Sequence, residues 1–158
     1  VQEMATRLYA QVSRSAPSGN FVTLFLARLD AANHRLEYAN CGHNPPFLFA
    51  ADGTYRELAS TGLPLGMIPL ELLPPGTLGA SSTDLAPGDL LCVFSDGFPE
   101  AIRDGEFFGD DRLVESVRSR LDRPVEEIAA GLFDDLKEFL GETPPSDDMT
   151  LLLVRRGG

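Results

Sequence analysis

The spacing of apolar residues changes once along this chain, and that change limits the folds it can adopt. Before residue 100 the apolar residues occur in short runs bounded by Gly, Pro, Asn and Asp, which is typical of strands. Beyond residue 100 they recur every three or four residues, over 113–121 and again over 125–139, which predicts two amphipathic helices. A last apolar run, 151–154, predicts one closing strand.

The runs before residue 100 predict a set of strands that are separated by turn signals such as Asp52-Gly53. The predicted strands are 21–29, 36–39, 47–49, 55–58, 81–85 and 90–94. We expect 21–29 to be a central strand and 90–94 to be deeply buried, and a short amphipathic helix over 1–12 opens the chain. Strands first, helices next and one closing strand predict an α+β layered fold with a largely antiparallel sheet.

Composition excludes several classes of protein. With 158 residues, 43% of them hydrophobic, the chain is long enough for one domain with a core. No apolar run approaches the ~20 residues of a membrane span, and the first residues lack a signal peptide, so we expect no membrane contact. The two cysteines, Cys41 and Cys92, predict a reducing compartment such as the cytoplasm. A net charge of -11 disfavours nucleic acid as a partner.

Two acidic segments stand at the ends of predicted strands. Asp96 follows 90–94, and Asp147 and Asp148 precede 151–154. If these strands are antiparallel neighbours, both ends lie at one edge of the sheet and Asp96 faces Asp147. Converging carboxylates repel each other unless a cation or a proton lies between them, and hard oxygen ligands suit Mg²⁺ or Mn²⁺. Gly97 lets the backbone turn sharply or approach a ligand closely.

Two other interpretations of these polar residues remain open. Asp-Gly after a strand is commonly a plain turn, and Asp-Asp before a strand is commonly a solvated loop in which Asp147 caps local amides.

His43 lies in Cys41-Gly42-His43-Asn44, after a strand, in a position where a histidine can act as a general acid. We favour a turn-stabilising role for His43, with Asn44 and the two prolines fixing the loop, because the spacing places no partner beside it.

Seven motifs give the chain a resemblance to a known family. The stretches "NCGHNPPFL" (40–48), "SDGFPEA" (95–101) and "DDMT" (147–150) are similar to signatures of bacterial metal-dependent serine/threonine phosphatases, the SpoIIE/RsbU branch of the PPM or type 2C superfamily. Four more fit in the expected order: "FVTLFLARLD", "TGLPLGM", "LAPGDLL" and "EFFGDDRL". Each motif alone is weak, but seven in order, covering almost the whole chain, are specific. The resemblance implies an α-β-β-α sandwich with mainly antiparallel sheets.

The resemblance also implies a reaction and a set of site residues. Members of the family hydrolyse phosphoserine or phosphothreonine on a partner protein, commonly an anti-sigma-factor antagonist, by a water that two Mn²⁺ or Mg²⁺ ions activate. Asp96 and Asp147 would be direct metal ligands, and Asp148 would bind a further ion or support Asp147. Gly97 would allow close packing around the metal, and Glu100 would lie behind the ligands or begin a helix. No covalent intermediate is implied, so neither cysteine need be a nucleophile.

One family motif has no counterpart in the chain. The family's first metal-binding motif is Gly-Asp followed shortly by Gly-His-Gly, and neither Gly88-Asp89 nor Gly109-Asp110 fits it. We therefore expect roughly forty more residues before this chain, two strands and a helix with the bridging Asp, within a longer sensor-phosphatase. The chain alone would then be poorly active and could expose a sheet face that favours homodimers. The alternative is a non-catalytic, protein-binding module on the same fold: Asp96 and Asp147 favour the phosphatase, and the missing motif favours the module.

Overall fold

The computed structural model describes residues 1–17 and 19–157. Within them lie three α-helices, a short 3₁₀ helix (Leu70–Leu72) and nine strands. The helices are α1 (Gln2–Ser15), α2 (Gly109–Arg118) and α3 (Val125–Leu140). The strands are β1 (Leu24–Asp30), β2 (Arg35–Cys41), β3 (Phe47–Phe49), β4 (Tyr55–Glu57), β5 (Ser81–Asp84), β6 (Leu90–Phe94), β7 (Ile102–Arg103), β8 (Glu106–Phe107) and β9 (Leu151–Arg155). None of the helices in these residues is long and apolar enough to cross a membrane.

The chain divides into two compact units that alternate along the sequence. The first unit comprises Val1–Pro45 and Leu58–Ala86, and the second comprises Pro46–Glu57 and Pro87–Gly158. Each unit has its own hydrophobic core and its own antiparallel sheet. The predicted α+β class with antiparallel sheets is therefore confirmed, and each predicted strand or helix overlaps an observed one.

The first unit consists of helix α1 on a three-stranded sheet with the order β1-β2-β5. Ala5 and Tyr9 of α1 are fully buried and share a core with Ala39 of β2. The hydroxyl of Tyr9 donates a hydrogen bond to the carbonyl of Ile68 at 2.9 Å, so the polar end of this buried ring is satisfied.

Strand β1 lies at the edge of its sheet, so the prediction of a central strand over 21–29 was wrong. In the described part of the chain β1 pairs with β2 alone, and residues 27–29 are exposed. Arg28 forms an ion pair across the strands with Glu37 at 2.6 Å. Apolar β-forming composition indicates that a strand forms, but a strand with one solvated face can be nearly as apolar as a buried one.

The second unit has a four-stranded sheet with the order β4-β3-β6-β9, and helices α2 and α3 pack on one face of it. Strand β6 lies inside this sheet and is almost entirely buried, as predicted. Helix α3 contributes an apolar stripe of residues four apart, Ile128, Leu132, Leu136 and Leu140. This spacing brings all four side chains to the same side of the helix, where they are buried.

A small hairpin formed by β7 and β8 follows the Asp96 segment and was not predicted. Its two-residue turn is Asp104-Gly105, and both residues have a positive φ, 53° and 83°. Two successive positive φ angles define the tight hairpin turn that Asp-Gly favours. The signal was therefore present in the sequence, but strands of two residues leave almost no periodic pattern.

An ion pair joins helix α3 to the segment after α2. Arg120 donates hydrogen bonds to both carboxylate oxygens of Asp135, each at 2.8 Å. A Cβ at Gly131 would lie closer than 3.0 Å to the Arg120 side chain, so the missing side chain makes room for the guanidinium. Burial raises the pKa of Asp135, but hydrogen bonds from Arg120 and Ser116 outweigh it and hold the pKa below its usual 3.8.

Candidate metal site

The two acidic segments meet at one edge of the second unit's sheet. Strands β6 and β9 are antiparallel neighbours, with Phe94 opposite Leu151. The end of β6 and the start of β9 therefore lie side by side, which brings the segment of Asp96 next to the segment of Asp147 and Asp148. The side chains of these three residues are exposed. The antiparallel pairing on which the metal hypothesis depends is thus present.

Hydrogen bonds to Ser95 connect the two segments beyond the last strand pair. The backbone N–H of Ser95 donates to the carbonyl of Thr150 at 3.0 Å. The Ser95 hydroxyl accepts a hydrogen bond from the N–H of Thr150 at 2.9 Å and donates one to the carbonyl of Asp148 at 3.1 Å. Sequence reasoning assigned no role to Ser95, although a hydroxyl where a buried strand ends is a signal for such a bond.

Gly97 packs directly against the backbone of the second acidic segment. A Cβ on this residue would lie closer than 3.0 Å to the carbonyl oxygen of Asp148 and 3.1 Å from its carbonyl carbon. It would also lie 3.2 Å from Cγ of Met149. Real Cβ atoms almost never come within 3.0 Å of another heavy atom, so only glycine fits without a shift of the backbone.

The turn after Asp96 is fixed by backbone hydrogen bonds and by the core. The N–H of Phe98 donates to the carbonyl of Ser95 at 3.2 Å, and the N–H of Glu100 donates to the carbonyl of Asp96 at 2.9 Å. Phe98 is fully buried and packs edge-on against Phe133 of α3, with ring centroids 5.1 Å apart. The main chain at Asp96 is held on both sides, while the carboxylates of Asp96 and Glu100 remain exposed.

Asp147 makes one local hydrogen bond. Its Oδ1 accepts a hydrogen bond from the N–H of Asp148 at 2.7 Å, which is the capping contact that the alternative interpretation predicts. In the described residues, no Lys or Arg forms an ion pair with the carboxylates of Asp96, Asp147 or Asp148. Carboxylates left without a basic partner at one edge of a sheet are a suitable donor type for Mg²⁺ or Mn²⁺.

The described residues supply only part of a metal-ligand set. Among them, no three His, Cys, Asp or Glu side chains come close enough together to hold a metal ion. The carboxylate oxygens of Asp96 and Asp147 are nevertheless the donor type that a hard divalent cation prefers. The number of donors there is smaller than such an ion usually takes from protein and water together.

His43 lies in the first unit, in a loop that is built around Asn40. Asn40 is fully buried; its Oδ1 accepts a hydrogen bond from the N–H of His43 at 2.9 Å, and its Nδ2 donates to the carbonyl of Leu58 at 3.2 Å. Gly42 has φ 74°, a conformation in which glycine is unstrained. The turn thus depends on Asn40, which the sequence reasoning missed even though a polar residue at the end of an apolar strand is a signal for such a role.

Comparisons with known proteins identify the family. The family model "Stage II sporulation protein E (SpoIIE)" matches residues 1–157. Protein IcfG of Synechocystis sp. is 33% identical over 141 residues, which are 86% of this chain and 21% of IcfG. Phosphoserine phosphatase RsbU of Bacillus subtilis is 27% identical over 146 residues, which are 92% of this chain and 42% of RsbU. The chain thus spans less than half the length of either relative.

Solved structures confirm the fold that the resemblance implied. The SiaA-PP2C domain of Pseudomonas aeruginosa matches with a TM-score of 0.74 and 26% identity, over 92% of this chain and 57% of that one. The phosphatase domain of SpoIIE from Bacillus subtilis, in a Mn-presoaked crystal, matches with a TM-score of 0.69 and 19% identity, over 99% of this chain and 67% of that one. Because one family model spans the chain from residue 1 to residue 157, and these structures share its fold, the chain belongs to the SpoIIE family and has the PP2C phosphatase-domain fold.

Proposed function

We propose that this chain is the greater part of a metal-dependent phosphatase that hydrolyses phosphoserine or phosphothreonine on a partner protein. The observation that carries the proposal is the edge of the second unit's sheet, where Asp96 follows β6 and Asp147 precedes β9, the antiparallel neighbour of β6. Both are exposed, and neither pairs with a basic side chain among the described residues. Membership of the SpoIIE family and the likeness to a phosphoserine phosphatase support the same reaction.

We propose Asp96 and Asp147 as direct ligands of Mn²⁺ or Mg²⁺, with two ions in the complete domain. Asp148 would bind a further ion or support Asp147, and Glu100 would act from behind the ligands. A bound divalent cation supplies a hydroxide-like water at neutral pH and compensates the charge of a phosphate group. The chain's own residues hold the ligands at the sheet edge, through the turn after Asp96 and the glycine at position 97. The exposure of this edge lets a phosphorylated side chain of another protein approach.

Neither cysteine is suited to act as a nucleophile, which favours attack by water. Cys41 and Cys92 are both fully buried. Burial raises the pKa of the Cys92 thiol to about 12 and raises that of Cys41 as well, so both stay protonated near neutral pH. A thiol that is neither ionised nor accessible cannot attack a phosphate ester.

We propose that residues 1–158 belong to one phosphatase domain, whose remaining metal ligands come from outside them. Among the described residues no three His, Cys, Asp or Glu side chains are placed to hold a metal ion, which supports this proposal, as does the match of one family model to both units. The same absence is the one observation that favours the alternative, a non-catalytic binding module on the same fold. The domain would then bind a partner protein through this fold without hydrolysing phosphate.

We also propose the protein's setting. An anti-sigma-factor antagonist as substrate, an upstream sensor domain and a cytoplasmic location all fit the SpoIIE family. The outer edge of β1, unpaired in the described part of the sheet, is suited to strand pairing between two copies of the chain, which supports a homodimer.

The proposal is tested by hydrolysis of p-nitrophenyl phosphate and of a phosphoserine peptide, with and without Mn²⁺. The variants are Asp96→Asn and, as a control, Asp134→Asn, which neutralises an exposed carboxylate on α3 in the same unit. We expect Mn²⁺-dependent turnover that Asp96→Asn abolishes and Asp134→Asn retains, both in this chain, where it should be slow, and in the longer protein. If Mn²⁺ produces no turnover in the longer protein, the phosphatase is refuted and the binding module is favoured.

A further inference from the structure

The hydroxyl of Ser95 replaces a backbone atom at the end of the β6–β9 ladder. Two residues that face each other in an antiparallel hydrogen-bonded pair exchange both of their N–H···O=C bonds. Ser95 and Thr150 make only one of these, from the N–H of Ser95 to the carbonyl of Thr150 at 3.0 Å. The carbonyl of Ser95 accepts from Phe98 instead, because the chain turns there, and the N–H of Thr150 donates to the Ser95 hydroxyl at 2.9 Å.

The same hydroxyl also reaches the segment that carries the other acids. It donates a hydrogen bond to the carbonyl of Asp148 at 3.1 Å. The Ser95 hydroxyl therefore accepts a hydrogen bond from the N–H of Thr150 and donates one to the carbonyl of Asp148. Ser95 is the residue directly before Asp96, so both bonds tie the Asp96 segment to the segment of Asp147 and Asp148. A hydroxyl one carbon from the backbone is needed for this, since it must donate and accept at short reach, and only serine and threonine provide it.

We infer that Ser95 is a positioning residue for the metal ligands, because its hydroxyl holds the segment of Asp147 and Asp148 at a fixed distance from Asp96. The inference rests on the proposed function for its metal-binding consequence. Gly97 keeps the two segments close by leaving space, and Ser95 keeps them in register by bonding across that space. Without the hydroxyl, the carbonyl of Asp148 and the N–H of Thr150 would bond to water, and the second acidic segment could move relative to the first.

The first test measures amide hydrogen exchange at Thr150 by NMR in the metal-free chain. The variants are Ser95→Ala, Ser95→Thr and the matched control Ser119→Ala. Ser119 also donates one hydrogen bond, to the carbonyl of Ser116 at 3.0 Å, and accepts one, from Arg120 at 3.3 Å. We expect exchange at Thr150 to be about tenfold faster in Ser95→Ala, equivalent to ~1.4 kcal/mol, and unchanged in the other two. Unchanged exchange in Ser95→Ala, or equal acceleration in Ser119→Ala, overturns the inference.

The second test measures the dissociation constant of Mn²⁺ from the electron paramagnetic resonance signal of the free ion, at a temperature where every variant is fully folded. We expect about tenfold weaker binding in Ser95→Ala and wild-type affinity in Ser95→Thr, on the scale of one lost hydrogen bond. Faster exchange with unchanged Mn²⁺ affinity would overturn the positioning role, because the hydroxyl would then serve the fold alone. If the wild-type chain and the longer protein both fail to bind Mn²⁺, the metal site itself is refuted, and the exchange data still decide whether Ser95 joins the two segments.

Discussion

Replacing Gly97 by alanine tests whether the two acidic segments are packed as tightly as the structure shows. The added methyl group would lie closer than 3.0 Å to the carbonyl oxygen of Asp148 and 3.2 Å from Cγ of Met149. Gly97 is not among the glycines with a positive φ, so alanine meets no penalty from its own backbone. Any loss of stability must therefore come from the contact with the neighbouring segment, whose backbone has to move.

The expected loss follows from two opposing effects. Overpacking of a tight site costs about 1–3 kcal/mol. Alanine also restricts the unfolded chain relative to glycine, which stabilises the folded state by about 0.4–1 kcal/mol. With the middle of each range, about 2 and about 0.7 kcal/mol, the free energy of unfolding should fall by roughly 1.3 kcal/mol. With a urea dependence of about 2 kcal/mol per molar for a domain of this size, the midpoint of unfolding should fall by about 0.6 M.

The assay is urea unfolding followed by far-ultraviolet circular dichroism, because the chain contains no tryptophan. Gly157→Ala is the matched control, since a Cβ there would meet no atom within 4 Å and the backbone φ is not positive. Its free energy of unfolding should stay within about 0.5 kcal/mol of the wild-type value, the range typical of surface substitutions. A Gly97→Ala midpoint equal to or above that of the wild type would refute the close approach of the two segments.

Two further predictions concern titration and reactivity. Because the pKa of Asp135 lies below 3.8 in the folded chain, its ion pair with Arg120 should stabilise the fold fully above pH ~4, the unfolded value, and less as the pH falls through the folded pKa. In Arg120→Gln the melting temperature, measured by circular dichroism, should therefore fall less steeply with decreasing pH in the acid range than it does in the wild type. An equally steep fall in both would contradict this. Cys41 and Cys92 should react with iodoacetamide at pH 8 only after unfolding in urea, because burial keeps both thiols protonated and covered; rapid labelling of the native chain, read by mass spectrometry, would show that the buried sheets open.

Two local patterns in the sequence allowed the shared sheet edge to be stated as a condition on strand pairing. An acid after one apolar run and an acid before another meet only if the runs pair in antiparallel fashion, and β6 and β9 do so. The strands and helices themselves follow from the hydrophobic period, which is set by burial of one side of each element. The metal roles of Asp96, Asp147 and Asp148 stay predictions that rest on the family resemblance and on donor chemistry.

What the sequence did not show depends on contacts between residues distant in the chain. The edge position of β1 depends on which strands pair, and its own composition does not contain that information. The bonds of Ser95 depend on the turn that takes its carbonyl away from the ladder, and those of Asn40 on a loop that returns at Leu58. Polar residues of this kind look like ordinary turn residues until the partner that each one bonds is known.

The alternation of the two units along the chain has a consequence for synthesis. Strand β6 pairs with β3, from residue 48 to residue 91, and then with β9, from residue 91 to residue 154. Since a nascent chain leaves the ribosome from its N-terminal end, β6 and Asp96 emerge before β9 has been synthesised. The segments of Asp96 and Asp147 can come together only when β9 adds to the sheet, which is also the step that completes the second unit. An interrupted or misfolded chain would therefore not bring the two segments together, and under the metal site proposed above, binding of a metal ion would report on completed folding.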